Sequence, residues 1–74
     1  MRVTLLERPG CGLCEEAYQA LRRIGRRVRV DVERRVTDDA RYALRVPVLR
    51  VGDAELDVAG LEDGAIERWL RAPS

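Results

Sequence analysis

Cys11-Gly12-Leu13-Cys14 holds the only two cysteines of the 74-residue chain. Residues three apart in a helical turn share a side, so their sulfurs can close a compact disulfide. The motif lies where a loop passes into a helix, which puts Cys11 at the open helix end. Unpaired backbone N–H groups and the helix dipole there favour a thiolate over a thiol. Cys14, inside the first turn, is then the less exposed partner. Arg8 brings a second positive charge that favours the anion, and Glu7 opposes it if its carboxylate turns inward. The chemistry that fits is attack by Cys11 on an external disulfide or mixed disulfide. Cys14 then attacks the intermolecular bond and releases the reduced partner.

Other readings of the pair stand beside this one. Buried cysteines can serve as small hydrophobes. Two thiolates supply half of a tetrahedral set, so a metal would need a homodimer bridged through Cys11 and Cys14. A third possibility is a redox-responsive binding protein whose docking surface follows the state of the cysteines.

Composition narrows the field. Fourteen arginines stand against thirteen acidic residues, with no lysine or histidine. The chain thus lacks the usual proton shuttle and the commonest metal ligand. The charge balance gives no general reason to expect nucleic acid or an acidic membrane as partner. The arginines from Arg22 through Arg35 read as the solvent faces of a helix end and an alternating strand. The opening run ends at Glu7 and Arg8, too short for a signal peptide, and no run has the length to span a bilayer. A cytoplasmic protein is expected, and in that reducing setting the cysteine spacing speaks for redox chemistry more than for a structural staple. An apolar share of 46% suits one packed domain over residues 1–74.

The elements that must position the cysteines follow from periodicity. Val3 to Leu6 form a short buried strand, and Pro9-Gly10 turns the chain toward Cys11. Leu13, Ala17, Ala20, Leu21 and Ile24 recur at helical spacing, with Gly25 at the terminus. Val28, Val30 and Val32 alternate with charged residues as in a strand. Thr37 caps a predicted short central helix carrying Ala40, Tyr42, Ala43 and Leu44, which must finish before Pro47. Val48 to Val51 and Ala54 to Val58 make a hairpin about Gly52-Asp53. After Gly60, a last helix carries Leu61, Ala65, Ile66, Trp69 and Leu70 on one stripe, with Glu67 and Arg71 spaced to pair. The order β-α-β-α-β-β-α predicts an α/β fold with a four-stranded mixed sheet, its first two strands parallel and its hairpin antiparallel.

On these residues the chain resembles the glutaredoxin branch of the thioredoxin-like superfamily, especially small bacterial proteins with a Cys-x-Leu-Cys motif. The likeness runs from the first strand through Arg8-Pro9-Gly10-Cys11-Gly12-Leu13-Cys14-Glu15-Glu16-Ala17, Val46-Pro47-Val48-Leu49 and the segment around Gly60. It implies a glutaredoxin-type thiol–disulfide oxidoreductase, monomeric, acting on protein disulfides or glutathione mixed disulfides. It further implies a cis Val46–Pro47 bond facing the cysteines, with the backbone of Val46 offered to an incoming thiol-bearing peptide. No tightly bound cofactor is implied; glutathione is a possible cosubstrate. Arg8 stands where the family often has a basic glutathione contact. Ala59-Gly60-Leu61-Glu62-Asp63 resembles the family's Gly-Gly-x-Asp-Asp region, so Gly60, Glu62 and Asp63 are candidate contacts to the γ-glutamyl end. An ordinary helix start would explain the same three residues. Gly12-Leu13 departs from the Pro-Tyr pair of many glutaredoxins. That leaves either glutathione or a thioredoxin-reductase-type protein as electron source.

Overall fold

The structure, a computed structural model, describes residues 1–72. Strand β1 (Arg2–Glu7) leads to helix α1 (Gly12–Ile24), then to β2 (Asp31–Val36), β3 (Val48–Val51), β4 (Ala54–Asp57) and helix α2 (Asp63–Arg71). The sheet order is β2-β1-β3-β4. β1 runs parallel to β2 and antiparallel to β3, and β3 is antiparallel to β4. This is the mixed α/β sheet of the thioredoxin-like fold. No helix among the described residues is long and apolar enough to cross a membrane.

Alternation along the inner strands divides the apolar residues between two faces. Val3 and Leu5 of β1 and Leu49 of β3 join Ala17, Ala20, Leu21 and Ile24 of α1 and Ile66 and Leu70 of α2 in the larger core. Trp69 is half-buried against it, as a core residue of the last helix. Leu6 and Val48 point to the opposite face and meet Cys14, Tyr42 and Val46 in a smaller cluster. Successive strand residues face opposite ways, so a one-residue slip would exchange these two sets.

The predicted central helix is absent. Its segment, 40–45, is a succession of turns. Thr37 Oγ1 accepts the N–H of Asp39 at 3.1 Å, and Asp39 Oδ1 then accepts the N–H of Arg41 at 2.9 Å. Two caps so close together restart the chain before a helix propagates, and the residue before Pro47 is biased out of helical geometry. The turns still cover the sheet face intended for the helix, because Tyr42 and Val46 are buried there. Tyr42 Oη donates to Glu55 at 2.6 Å, and Arg45 pairs with both Glu55 and Asp57, fastening the segment to β4.

The second strand also begins later than the valine alternation suggests. Pairing with β1 starts at Asp31, leaving only Val32 of the three valines inside β2. Val28 and Val30 precede the strand, yet both pack against the larger core. Burial had produced the alternation without ladder pairing at every position. The hairpin matches its expected turn, with Gly52 at φ +60 and Val51 opposite Ala54.

Candidate functional site

The loop after β1 delivers Cys11 to the N-cap of α1 in an extended conformation. Its Sγ accepts the backbone N–H of Cys14 at 3.1 Å, the place a serine or aspartate oxygen fills in most capped helices. Cys11 and Cys14 are joined as a disulfide, their Cα atoms 5.2 Å apart. Cys14 is fully buried, whereas Cys11 is partly exposed at the edge of the smaller cluster. The two sulfurs are therefore unequal in access, and the outer one faces the positive end of the helix dipole.

Val46 is buried in the same cluster as Cys14, and the Val46–Pro47 peptide bond is cis. Pro47 is fully buried, and its carbonyl accepts the N–H of Val58 at 3.2 Å. Arg8 is exposed and donates from Nη1 to the Ala43 carbonyl at 3.1 Å, tying the loop before Cys11 to the turn segment. Glu7 does turn inward, at 6% exposure, but it does not remain an uncompensated charge. Arg34 clamps both of its oxygens at 2.7 and 2.9 Å.

That arginine reaches further. Arg34 Nη2 also donates to Glu15 at 2.7 Å, and its guanidinium lies over the Tyr18 ring at 4.0 Å from the centroid. Hydrogen bonds from Arg34, and then from Gln19, hold the Glu15 carboxyl below its ordinary value. Arg34 thus joins the residue ending β1 to the residue following Cys14, on either side of the cysteine loop. Sequence reasoning had given it only a solvent-facing place.

On the other flank, a groove runs between α1 and the loop into α2, lined by Leu13 of the cysteine motif and by Glu16, Gly60, Leu61 and Asp63. The N–H of Leu61 bonds to the Val58 carbonyl at 3.1 Å, closing a turn in which Gly60 has φ +77. Asp63 opens α2, but its carboxylate is held by Arg23 of α1 at 2.7 and 3.0 Å, which keeps it below the ordinary aspartate value. Glu62 is the N-cap residue of α2, exposed, and makes no side-chain cap bond. A second pair, Arg27 to Glu67 at 2.7 Å, follows the first, and Glu67 also takes the expected bond from Arg71. The candidate glutathione contacts therefore fall in two groups. Gly60 and Asp63 share the groove with Leu13, while Arg8 and Val46 belong to the turn-segment side.

Comparison with known proteins agrees with this architecture. The description "Glutaredoxin-like domain (DUF836)" matches residues 2–71. A solved X-ray structure of a structural genomics target protein from X. campestris is 35% identical, with a TM-score of 0.71, over 96% of this chain and 99% of that one. No curated protein matches the chain. With the match extending over nearly its whole length, the chain belongs to the glutaredoxin-like domain family.

Proposed function

We propose that the protein is a thiol–disulfide oxidoreductase working through Cys11 and Cys14. The observation that supports it most directly is the bond from the Cys14 N–H to Cys11 Sγ. A thiolate is a stronger acceptor than a disulfide sulfur, so the same donor and the helix end stabilise the reduced, attacking form of Cys11.

In the reduced protein, Cys11 thiolate attacks one sulfur of a substrate disulfide. A mixed disulfide forms and the other substrate sulfur leaves as thiolate. Cys14 gives up its proton and attacks Cys11 Sγ, closing the intramolecular disulfide and expelling the second substrate thiolate. Two electrons have then passed to the substrate. A two-electron thiol donor, either two glutathione molecules or a thioredoxin-reductase-type dithiol, restores the starting state. Burial of Cys14 keeps it from competing for the first attack, and Cys11 packs against the cluster that holds Val46. A reducing compartment such as the cytoplasm is the setting this cycle requires.

Turnover of a small mixed disulfide by the wild type and by Cys11→Ser tests the proposal. The variant should lose turnover entirely; wild-type-like turnover would remove Cys11 as nucleophile. Cys14→Ser should still perform the first attack and accumulate a mixed disulfide with protein substrates. Parallel assays with glutathione and with a thioredoxin-reductase system identify the donor.

A further inference from the structure

We infer that the groove beside Leu13 of the cysteine motif selects protein disulfides carried on apolar segments with basic flanks over those with acidic flanks. The inference rests on the oxidoreductase reading for its substrate chemistry, and on the groove's own side chains for its selectivity. Leu13 lies inside the cysteine motif and is 53% exposed, and Leu61 across the groove is 40% exposed. A chain segment lying in this groove meets both leucines.

The charges around these leucines are uneven. Arg23 is the one cation among the groove-lining residues, and both Asp63 oxygens occupy it, so that pair is internally neutral. Glu16 lines the groove, and Glu62 sits between the lining residues Leu61 and Asp63. Both are exposed, and among the described residues neither has an ion-pair partner. A segment with acidic flanks would bring its carboxylates to a lining with no free cation, beside the unpaired carboxylates of Glu16 and Glu62. An apolar side chain flanked by arginine or lysine meets the reverse situation, with leucines for the apolar group and glutamates for the charges.

The test uses the full-length oxidised protein and two fluorescent peptides with serine in place of cysteine, so that binding is read without reaction. They share one central apolar residue and differ in lysine or glutamate flanks. Two exposed charge pairs should favour the lysine peptide by about five- to tenfold in Kd at low salt, a ratio that shrinks as salt is added. Glu16→Gln with Glu62→Gln should bring the ratio close to unity, and Leu61→Ser should weaken both peptides. Equal binding of the two peptides by the wild type, or a preference that survives in the double glutamine variant, overturns the inference. The cysteine versions of the peptides, as mixed disulfides, are then assayed for turnover beside a neutral small disulfide. Absence of turnover on all of them defeats the oxidoreductase reading while the binding ratio still decides the groove.

Discussion

Arg34 closes two parallel hydrogen bonds on the carboxylate of Glu7, joining the middle of an edge strand to the end of the strand beside it. Glu7 is nearly buried, so removing the guanidinium alone leaves a charge without compensation. Arg34→Met should therefore lower the thermal midpoint, and Arg34→Met combined with Glu7→Met should recover part of the loss. Thermal melts of the two single variants and the double variant check this. A double variant as unstable as the sum of the singles would show that the pair does not act as a unit.

Acid should weaken the fold through its arginine-paired carboxylates. Arg34 depresses Glu15, Arg23 depresses Asp63, Arg27 and then Arg71 depress Glu67, and Arg41 brings Asp39 down to about 2. A carboxyl whose folded value is depressed contributes stability that is present above its unfolded value and is lost as pH falls through the folded one. The thermal midpoint should thus be level at neutral pH. It should decline below the ordinary glutamate value of 4.5 and continue to fall toward the Asp39 value of about 2. Concentrated salt should flatten the decline, since these pairs lie at the surface. An unchanged midpoint at pH 3 would contradict the assignment.

Two leucines should separate burial from hydrophobicity. Leu49 is fully buried between β1 and β4, whereas Leu44 on the turn segment is 96% exposed. Leu49→Ala should cost about 2–5 kcal/mol in denaturant unfolding. Leu44→Ala should stay within about 0.5 kcal/mol. Comparable losses would mean that the turn segment packs in solution against something the present fold leaves open.

Backbone conformation can be separated from crowding at two glycines of the site. A Cβ on Gly60 or Gly12 would meet no atom within 4 Å, but only Gly60 has positive φ, at +77. Gly60→Ala should cost about 1–2 kcal/mol. Gly12→Ala, in the first turn of α1, should be neutral or slightly stabilising. Denaturant midpoints of the two variants report the difference, and equal effects would sink the backbone explanation.

The cysteine motif, the first strand, α1, the hairpin and the last helix were legible because each follows from local pattern, although Leu61, read as part of the last helix's stripe, lies before its N-cap Glu62 and is exposed. The region between Thr37 and Pro47 was not. Its apolar residues suit a short helix equally well, and the outcome turned on two side-chain caps and a pre-proline restriction acting between Thr37 and Val46. The role of Arg34 was hidden for another reason. Its partners lie 27 and 19 residues away, and no periodicity connects positions on two strands and a helix. Asp63 was noticed for its position before the last helix, but its partner Arg23 is 40 residues back and emerges only when the helices pack.

The atom that would exchange electrons is also the atom that ends a helix. When the disulfide opens, Cys11 Sγ becomes a stronger acceptor for the amide of Cys14, so the opening turn of α1 keeps a running record of sulfur chemistry in its backbone. Proton–deuterium exchange at that one amide would follow the state of the disulfide without a label on either cysteine.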